Sequence, residues 1–345
     1  MRKQHITIHD IARELNVSAS TVSRALQNHP RISQTTREAV QKLARQYNYQ
    51  PNVVASSLRK GMSNTVGVIV PRINRNFFAN VIGGMEEILA AAGQHLMICQ
   101  THENYDSEVM AIQTLINARV NAIILSISME TTRSEHLSVL RDLGIRLFFF
   151  DRLFEGISAG SVVIDDKKGA FQNVKHLLDQ GYSRIVHVAG SDRIPIYRER
   201  KNGYLEAMQQ AGIEVDPGWI LEESLVLEGG IKAFHRAIVQ TPVPDAFFCA
   251  GDYAALGVLQ AAKKYGLKIP GQLGITGFAN EPFTAFLEPA LTTVDQGGEE
   301  MGRQVARMYL GCGDSDIATD KCERIVLEPE LIIRESSMRQ KKSEY

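Results

Sequence analysis

From Thr65 onward the chain alternates short apolar runs with stretches of helical periodicity, and this alternation restricts the fold more than any other feature of its 345 residues. "TVGVIV", "HLMICQ", "NAIILSI" and "RLFFFD" are separated by helical segments near 77–92, 107–118 and 134–143. A second series follows, "SVVID", "RIVHVAG", "WILEESL", "DAFFCAG" and "LGITGF", again with helices between the runs. Runs this apolar are buried on both faces, and a parallel sheet wrapped by crossover helices buries them so. The repetition predicts an α/β body of two similar lobes. "PALTTVDQ" and "ERIVLEPELIIRES" bracket one more helix at 297–310, and this leftover material is expected to cross back between the lobes.

The first sixty residues follow a different pattern. Thr7-x-x-Asp10 is a capping box opening the apolar series Ile8, Ile11, Ala12 and Leu15. Ser18 caps a second helix that runs to about Leu26, and Ser33 caps a third with Val40, Leu43, Ala44 and Tyr47 on one face. Leu15 to Val17 leave room only for a tight turn, so the first two helices make a helix-turn-helix. Pro51 ends this head. "PNVVASSLRKG" is too short to hold a helix alone and is expected to be a linker that orders on contact.

Charge separates the same two regions. Residues 1–60 hold ten Lys and Arg against three acids, a net +7, while the other 285 residues carry 28 bases and 36 acids, a net −8. A compact basic head on an acidic body points to a polyanion partner for the head alone. The second helix says which. Val22, Ala25 and Leu26 face inward, whereas Ala19, Ser20, Ser23 and Arg24 form a low polar surface that packs against nothing in the chain. A helix entering the major groove needs such a profile. Ser18, Thr21 and Ser23 are candidates to bond phosphates, Ala19 and Ser20 let the helix approach, and Arg24 can fork onto guanine O6 and N7.

Catalytic patterns do not emerge. There is no G-x-G-x-x-G, Walker A or H-E-x-x-H, so neither an enzymatic activity nor a cofactor is expected. His5 and His9 have helical spacing but no third ligand. Asp165 and Asp166, adjacent at the end of a strand, should point to opposite faces and lead into a helix starting near Lys167. Cys99, Cys249, Cys312 and Cys322 show no C-x-x-C spacing, as suits thiols in a reducing cytosol. "MRKQHITIHD" has no apolar core of a secretion signal, and no run of about 18 apolar residues occurs, so a cytoplasmic protein without membrane contact is expected.

These residues carry a resemblance. "TIHDIARELNVSASTVSRALQNHPRISQTTREAVQKLARQYNYQPNVVASSLRKG" closely resembles the DNA-binding head and hinge of the lactose-repressor (LacI/GalR) family of bacterial transcription regulators. "GVIVPRINRNFFANVIGGME", "DAFFCAGDYAALG", "IPGQLGITGF", "PALTTVDQ" and "LIIRESS" extend the match over about 330 residues. The resemblance implies a helix-turn-helix head at 1–50, a hinge helix at 51–62, and two Rossmann-like lobes of periplasmic-binding-protein type. It places the N-lobe at 63–163 plus 294–321, the C-lobe at 164–293 plus 322–337, and a tail at 338–345. Thr7, Ser18, Thr21 and Asn28 match family phosphate contacts, and Ala19, Ser20 and Arg24 match base readers. Ala55 falls beside the groove floor, and Leu58 matches a leucine that wedges between central base pairs.

The resemblance further implies a small effector, often a sugar or nucleobase, between the lobes. Phe77 and Phe78 match an apolar ligand wall, Asp151 an acidic cleft residue, and Arg200 an arginine that clamps ligand hydroxyls or carboxylates. Asp252 is expected to cap the helix beginning at Tyr253. Two positions depart from the family: Ala279 stands where an acid is common, with Asn280 or Glu281 as substitutes, and Leu225 where some members carry an aromatic platform. "RQKKSEY" lacks a leucine heptad, so a homodimer without a tetramerising tail is expected. The implied partners are double-stranded operator DNA, a small sugar-like effector and a second copy of the chain. A regulator whose cleft takes no effector is the alternative, as is a sugar-binding transport component, against which the basic head and the missing export signal both argue.

Overall fold

The computed structural model describes residues 6–47, 49, 63–312 and 323–339. The hinge positions Ala55 and Leu58 lie outside the described residues. The chain divides into two compact units, Met1–Ser63 and Asn64–Tyr345.

In the first unit the three helices are α1 (Ile8–Glu14), α2 (Ala19–Leu26) and α3 (Gln34–Gln46). The Asp10 carboxylate accepts both the Thr7 backbone N–H (2.9 Å) and the Thr7 hydroxyl (2.6 Å), which fixes the entry to α1. Ser18 Oγ accepts the Thr21 N–H at 3.1 Å and so starts α2. Between them Asn16 takes a left-handed turn, φ 50°, a conformation asparagine tolerates. Ile11, Val22, Ala25 and Val40 are wholly buried at the centre of the three helices. The Tyr47 hydroxyl donates to Glu14 at 2.6 Å and closes α3 onto α1.

The second unit holds a six-stranded and a four-stranded sheet, both parallel. The first contains β1 (Thr65–Val70), β2 (His95–Gln100), β3 (Ala122–Leu125), β4 (Arg146–Phe150), β5 (Gly160–Ile164) and β11 (Arg324–Leu327), in the order β11-β5-β4-β3-β1-β2. The second contains β6 (Ile185–Ala189), β7 (Ile220–Glu222), β8 (Ala246–Cys249) and β9 (Gly274–Thr276), in the order β7-β6-β8-β9. A short antiparallel pair, β10 (Thr293–Asp295) with β12 (Glu330–Ile332), completes the strands.

Strand alternation sets the layers. Val66, Val68 and Val70 of β1 face α4 (Asn76–Ala91) and α11 (Gly298–Gly311). Ile69 faces the other way, onto α5 (Tyr105–Asn117) and α6 (Glu135–Asp142). Helices α4 and α11 meet backbone to backbone, because a methyl group at Gly84 or Gly302 would overlap a carbonyl of the partner helix. In the C-lobe, α7 (Asp166–Asp179) packs on α8 (Pro195–Gln210), and α9 (Leu227–Ala237) packs on α10 (Asp252–Lys264).

The strand pairing changes three sequence-based expectations. "SVVID", which the run pattern groups with the second series, closes the first sheet against β4, as the N-lobe bound at 163 implies. "ERIVLEPELIIRES" splits between two sheets: Arg324–Leu327 pairs in parallel with Ser161–Ile164, so this part of 322–337 belongs to the N-lobe and not the C-lobe. The split comes at Glu328-Pro329, since proline has no N–H to extend the ladder. "WILEESL" yields only a three-residue strand.

Candidate functional site

On α2, Val22 and Ala25 are buried while Ser18, Ser20 and Arg24 are exposed and Ala19, Thr21 and Ser23 half-buried. Ser20, Ser23 and Arg24 fall at helical spacing on the outward face. Arg24 forms no ion pair among the described residues, so its guanidinium is uncommitted. The Ser18 hydroxyl lies 2.8 Å from those of both Ser20 and Thr21, a cluster of hydroxyls at the positive end of the helix. Asn28 ends α2 in a left-handed conformation, φ 55°, and its Oδ1 accepts from Gln41 Nε2 of α3 at 2.8 Å. Thr7 is likewise exposed at the start of α1.

The second candidate site follows from topology. In both sheets the strand order reverses beside the first strand of the series, and ligands bind open α/β sheets at the carboxyl ends of strands near such reversals. Those ends face one cavity of about 630 Å³. The N-lobe contributes Arg72 and Arg75 after β1, Glu103 after β2, Met129 after β3, and Asp151 with Arg152 after β4. The C-lobe contributes Ser191, Glu222 to Val226, Ala250 to Tyr253, and Phe278 with Ala279 and Glu281. Phe77, Phe78, Asp151, Arg200 and Leu225 all line it. Asn280 does not: its Oδ1 accepts from Arg334 at 2.9 Å and its Nδ2 donates to Asp295 at 2.7 Å, outside the lining.

At the base of the cavity Arg200, 4% exposed, is held on three sides. Its Nε donates to Asp166 Oδ1 at 2.7 Å, Nη1 to the Ala250 carbonyl at 2.8 Å and Nη2 to Gln296 Oε1 at 3.0 Å. The guanidinium also lies 3.7 Å from the centre of the Phe278 ring. Donors remain on both Nη atoms. Burial pushes the Asp166 carboxyl up to about 6, against the pull of the Arg200 charge. The strand end does lead into a helix, which begins at Asp166 with Asp165 as its cap, and Asp166 is in addition a partner of the cleft arginine.

The N-lobe offers a matching set. Asp151 sits at φ 59°, buried, with its Oδ2 accepting from Ser126 at 3.2 Å. Its carboxyl is raised by burial, and the charges of Arg152 and Arg200 oppose this. Arg152 Nη1 donates to Glu103 Oε2 at 2.7 Å, while its buried Nε has no hydrogen-bond partner. Carboxylate and guanidinium thus approach the cavity from both lobes, an arrangement that accepts from and donates to hydroxyls at once. Left-handed backbone recurs around it at Glu103, Asp151 and Ala279. Such strain costs about 1–3 kcal/mol per residue and gathers at binding sites.

Asp252 is the first residue of α10, whose cap position is Gly251. Rather than capping, its Oδ1 accepts from the Thr293 hydroxyl at 2.6 Å and its Oδ2 from the Glu281 N–H at 2.8 Å. Burial raises it to about 6. It anchors the loop that carries Ala279 and Glu281. Behind the cavity, His187 stacks between Phe248 and Tyr204, and burial pushes it down to about 4, so it stays neutral near pH 7. Among the described residues no group of three or more His, Cys, Asp and Glu is placed to hold a metal. Among them also, no helix is long and apolar enough to cross a membrane.

Several of these groups escaped the sequence reading. Gln296 lay in the quoted "PALTTVDQ" and Arg152 beside Asp151, but nothing in their spacing tied them to Arg200 or Glu103. Tyr197 and Tyr253 carried no pattern beyond helical spacing.

Comparison with known proteins identifies both units of the chain. Residues 7–52 match bacterial regulatory proteins of the lacI family, and residues 174–337 match a periplasmic binding protein-like domain. The HTH-type transcriptional repressor CytR of Escherichia coli (strain K12) is 34% identical over 304 residues, 88% of this chain and 89% of the relative. The HTH-type transcriptional repressor PurR of Haemophilus influenzae (strain PittEE) is 31% identical over 334 residues, 96% of this chain and 98% of the relative. Among solved structures, the lac repressor dimer bound to operator and the anti-inducer ONPF superposes with TM-score 0.85 at 20% identity, over 97% of this chain and all of that one. The complex of transcriptional regulator CelR with cellobiose superposes with TM-score 0.72 at 25% identity, over 96% of this chain and 99% of that one.

Proposed function

The chain belongs to the lacI family of bacterial regulatory proteins, DNA-binding regulators rather than enzymes, and on that premise we propose that it is a dimeric repressor released or engaged by a small hydroxylated effector. The outward face of α2 carries the DNA half of this reading: low side chains around one exposed, uncommitted arginine, backed by a buried core. Each head reads a half-site, and two heads related by the dimer axis read a pseudo-palindrome. Thr7, Ser18, Thr21, Ser23 and Asn28 fix register through phosphates, and Ala19, Ser20 and Arg24 face the bases. Ala55 and Leu58 of the hinge segment meet the minor groove. Work on operator DNA places the protein in the cytoplasm.

Asp151 and Arg152 from one lobe and Arg200 from the other, all in the lining, support a polyol or a molecule with a sugar-like part, with Asp166 holding Arg200 in place. The wall of Phe77, Phe78 and Leu225 takes its apolar side. The effector acts by preferring one arrangement of the two lobes, since a ligand indifferent to lobe closure shifts nothing.

Arg24→Ala is expected to cost about 1–3 kcal/mol of operator affinity and to relax the preference at one base position in each half-site. Fluorescence anisotropy on operator variants at fixed salt checks this. Equal losses on operator and on random duplex would remove Arg24 from base reading.

A further inference from the structure

Helix α4 begins without a cap of its own. Arg75 occupies the cap position, makes no side-chain cap bond, and puts a cation at the positive end of the helix. Such an end favours a carboxylate, and here the other lobe supplies one: the Asn76 N–H donates to Glu281 Oε2 at 3.4 Å. The Arg75 guanidinium meanwhile lies over the Tyr253 ring, 3.7 Å from its centre. Both contacts run from the N-lobe to the C-lobe at the lining of the same cavity.

The C-lobe side of this contact is rigidly built. Asp252 holds the Glu281 N–H at 2.8 Å and is itself held by Thr293 at 2.6 Å. The Tyr253 ring packs edge-on against Phe283, centres 5.0 Å apart. By contrast Arg75 stands at the start of a helix and reaches across by side chain alone. We propose that Arg75 and Asn76, with Tyr253 and Glu281, form an interlobe clasp that gates the effector cleft, so that an entering effector parts Arg75 from Tyr253. The aromatic face that Leu225 does not provide is present at Tyr253, with the chain's own guanidinium lying on it. This selects for ligands able to compete with a stacked arginine. The proposal rests on the cavity being the effector site.

The test reads access to the cavity directly. Ser191, in the lining, is changed to cysteine in the full-length chain, and its reaction with a small neutral methanethiosulfonate is timed, with the parent protein's own thiols subtracted. Arg75→Ala and Tyr253→Leu are each expected to speed the reaction about tenfold, as when a minor open state becomes a major one. The double variant is expected to be no faster than the faster single, because both remove one contact. Arg75→Lys, which keeps the charge and loses the flat stack, is expected to fall between, and operator binding by each variant reports that it is folded. Unchanged rates, or single effects that multiply in the double variant, would overturn the clasp. No effector is needed for this reading. A metabolite panel that leaves the melting temperature unmoved would therefore count against the effector while the clasp result stood.

Discussion

Operator binding is expected to weaken by roughly a thousandfold as salt is raised from about 50 to about 200 mM, the loss typical of a protein making about 6–10 phosphate contacts. The charge distribution is the reason. Each head carries a net +7 within sixty residues, and a dimer brings two such heads to one duplex. Lysines and arginines that neutralise phosphates release condensed counterions, and added salt opposes that release. The acidic body, net −8, contributes nothing to this attraction, so the slope belongs to the head. Anisotropy titrations at several salt concentrations give it, and a slope near zero is incompatible with a phosphate-bound head. Random duplex should show a comparable slope at much lower affinity, since phosphates are sequence-blind.

Arg200→Met is expected to destabilise the body by about 3–5 kcal/mol at neutral pH, because it leaves the Asp166 carboxylate buried without its partner. Asp166 is 6% exposed, and its carboxyl already lies at about 6 with the arginine in place. Without that charge it rises further. The folded-state value stands above the unfolded one, so the native state holds the extra proton and the penalty shrinks as pH falls below the folded value. Urea unfolding of the variant and its parent should therefore give a large difference at pH 7.5 that narrows toward about pH 5. A second change, Asp166→Asn, should recover much of the loss by removing the stranded charge. A difference independent of pH, with no recovery, would mean that Arg200 acts through packing on Phe278 instead.

Local signals were legible in the sequence wherever the structure they specify is local. The Thr7–Asp10 box and the Ser18 cap each involve residues three apart, and both form as the spacing predicts. The inward face of α2 follows from helical period alone. Strand partnership is different. The run "RIVL" states that a strand exists but not which sheet it joins, and that is how Arg324–Leu327 came to be expected in the wrong lobe. The pairing of Asp166 is a second such case. The helix begins at Asp166, within one residue of the expected start near Lys167, with Asp165 as its cap, but nothing in the spacing states that Asp166 turns toward Arg200. The cleft was visible in outline through Phe77, Phe78, Asp151, Arg200 and Leu225. Its hydrogen-bond order was not, because Arg152 and Glu103 meet only once the first sheet is assembled, and Arg200 and Gln296 only once residues 96 apart in sequence are packed together.

The central claim is that a cationic helix-turn-helix reads duplex sequence and that the body adjusts its grip. Selection from a randomised duplex library by the full-length protein at moderate ionic strength tests it most directly. The account predicts enrichment of a pseudo-palindrome, with two like half-sites whose recovery changes when an effective metabolite is added. Recovery of no preferred duplex, with or without metabolites, would contradict it.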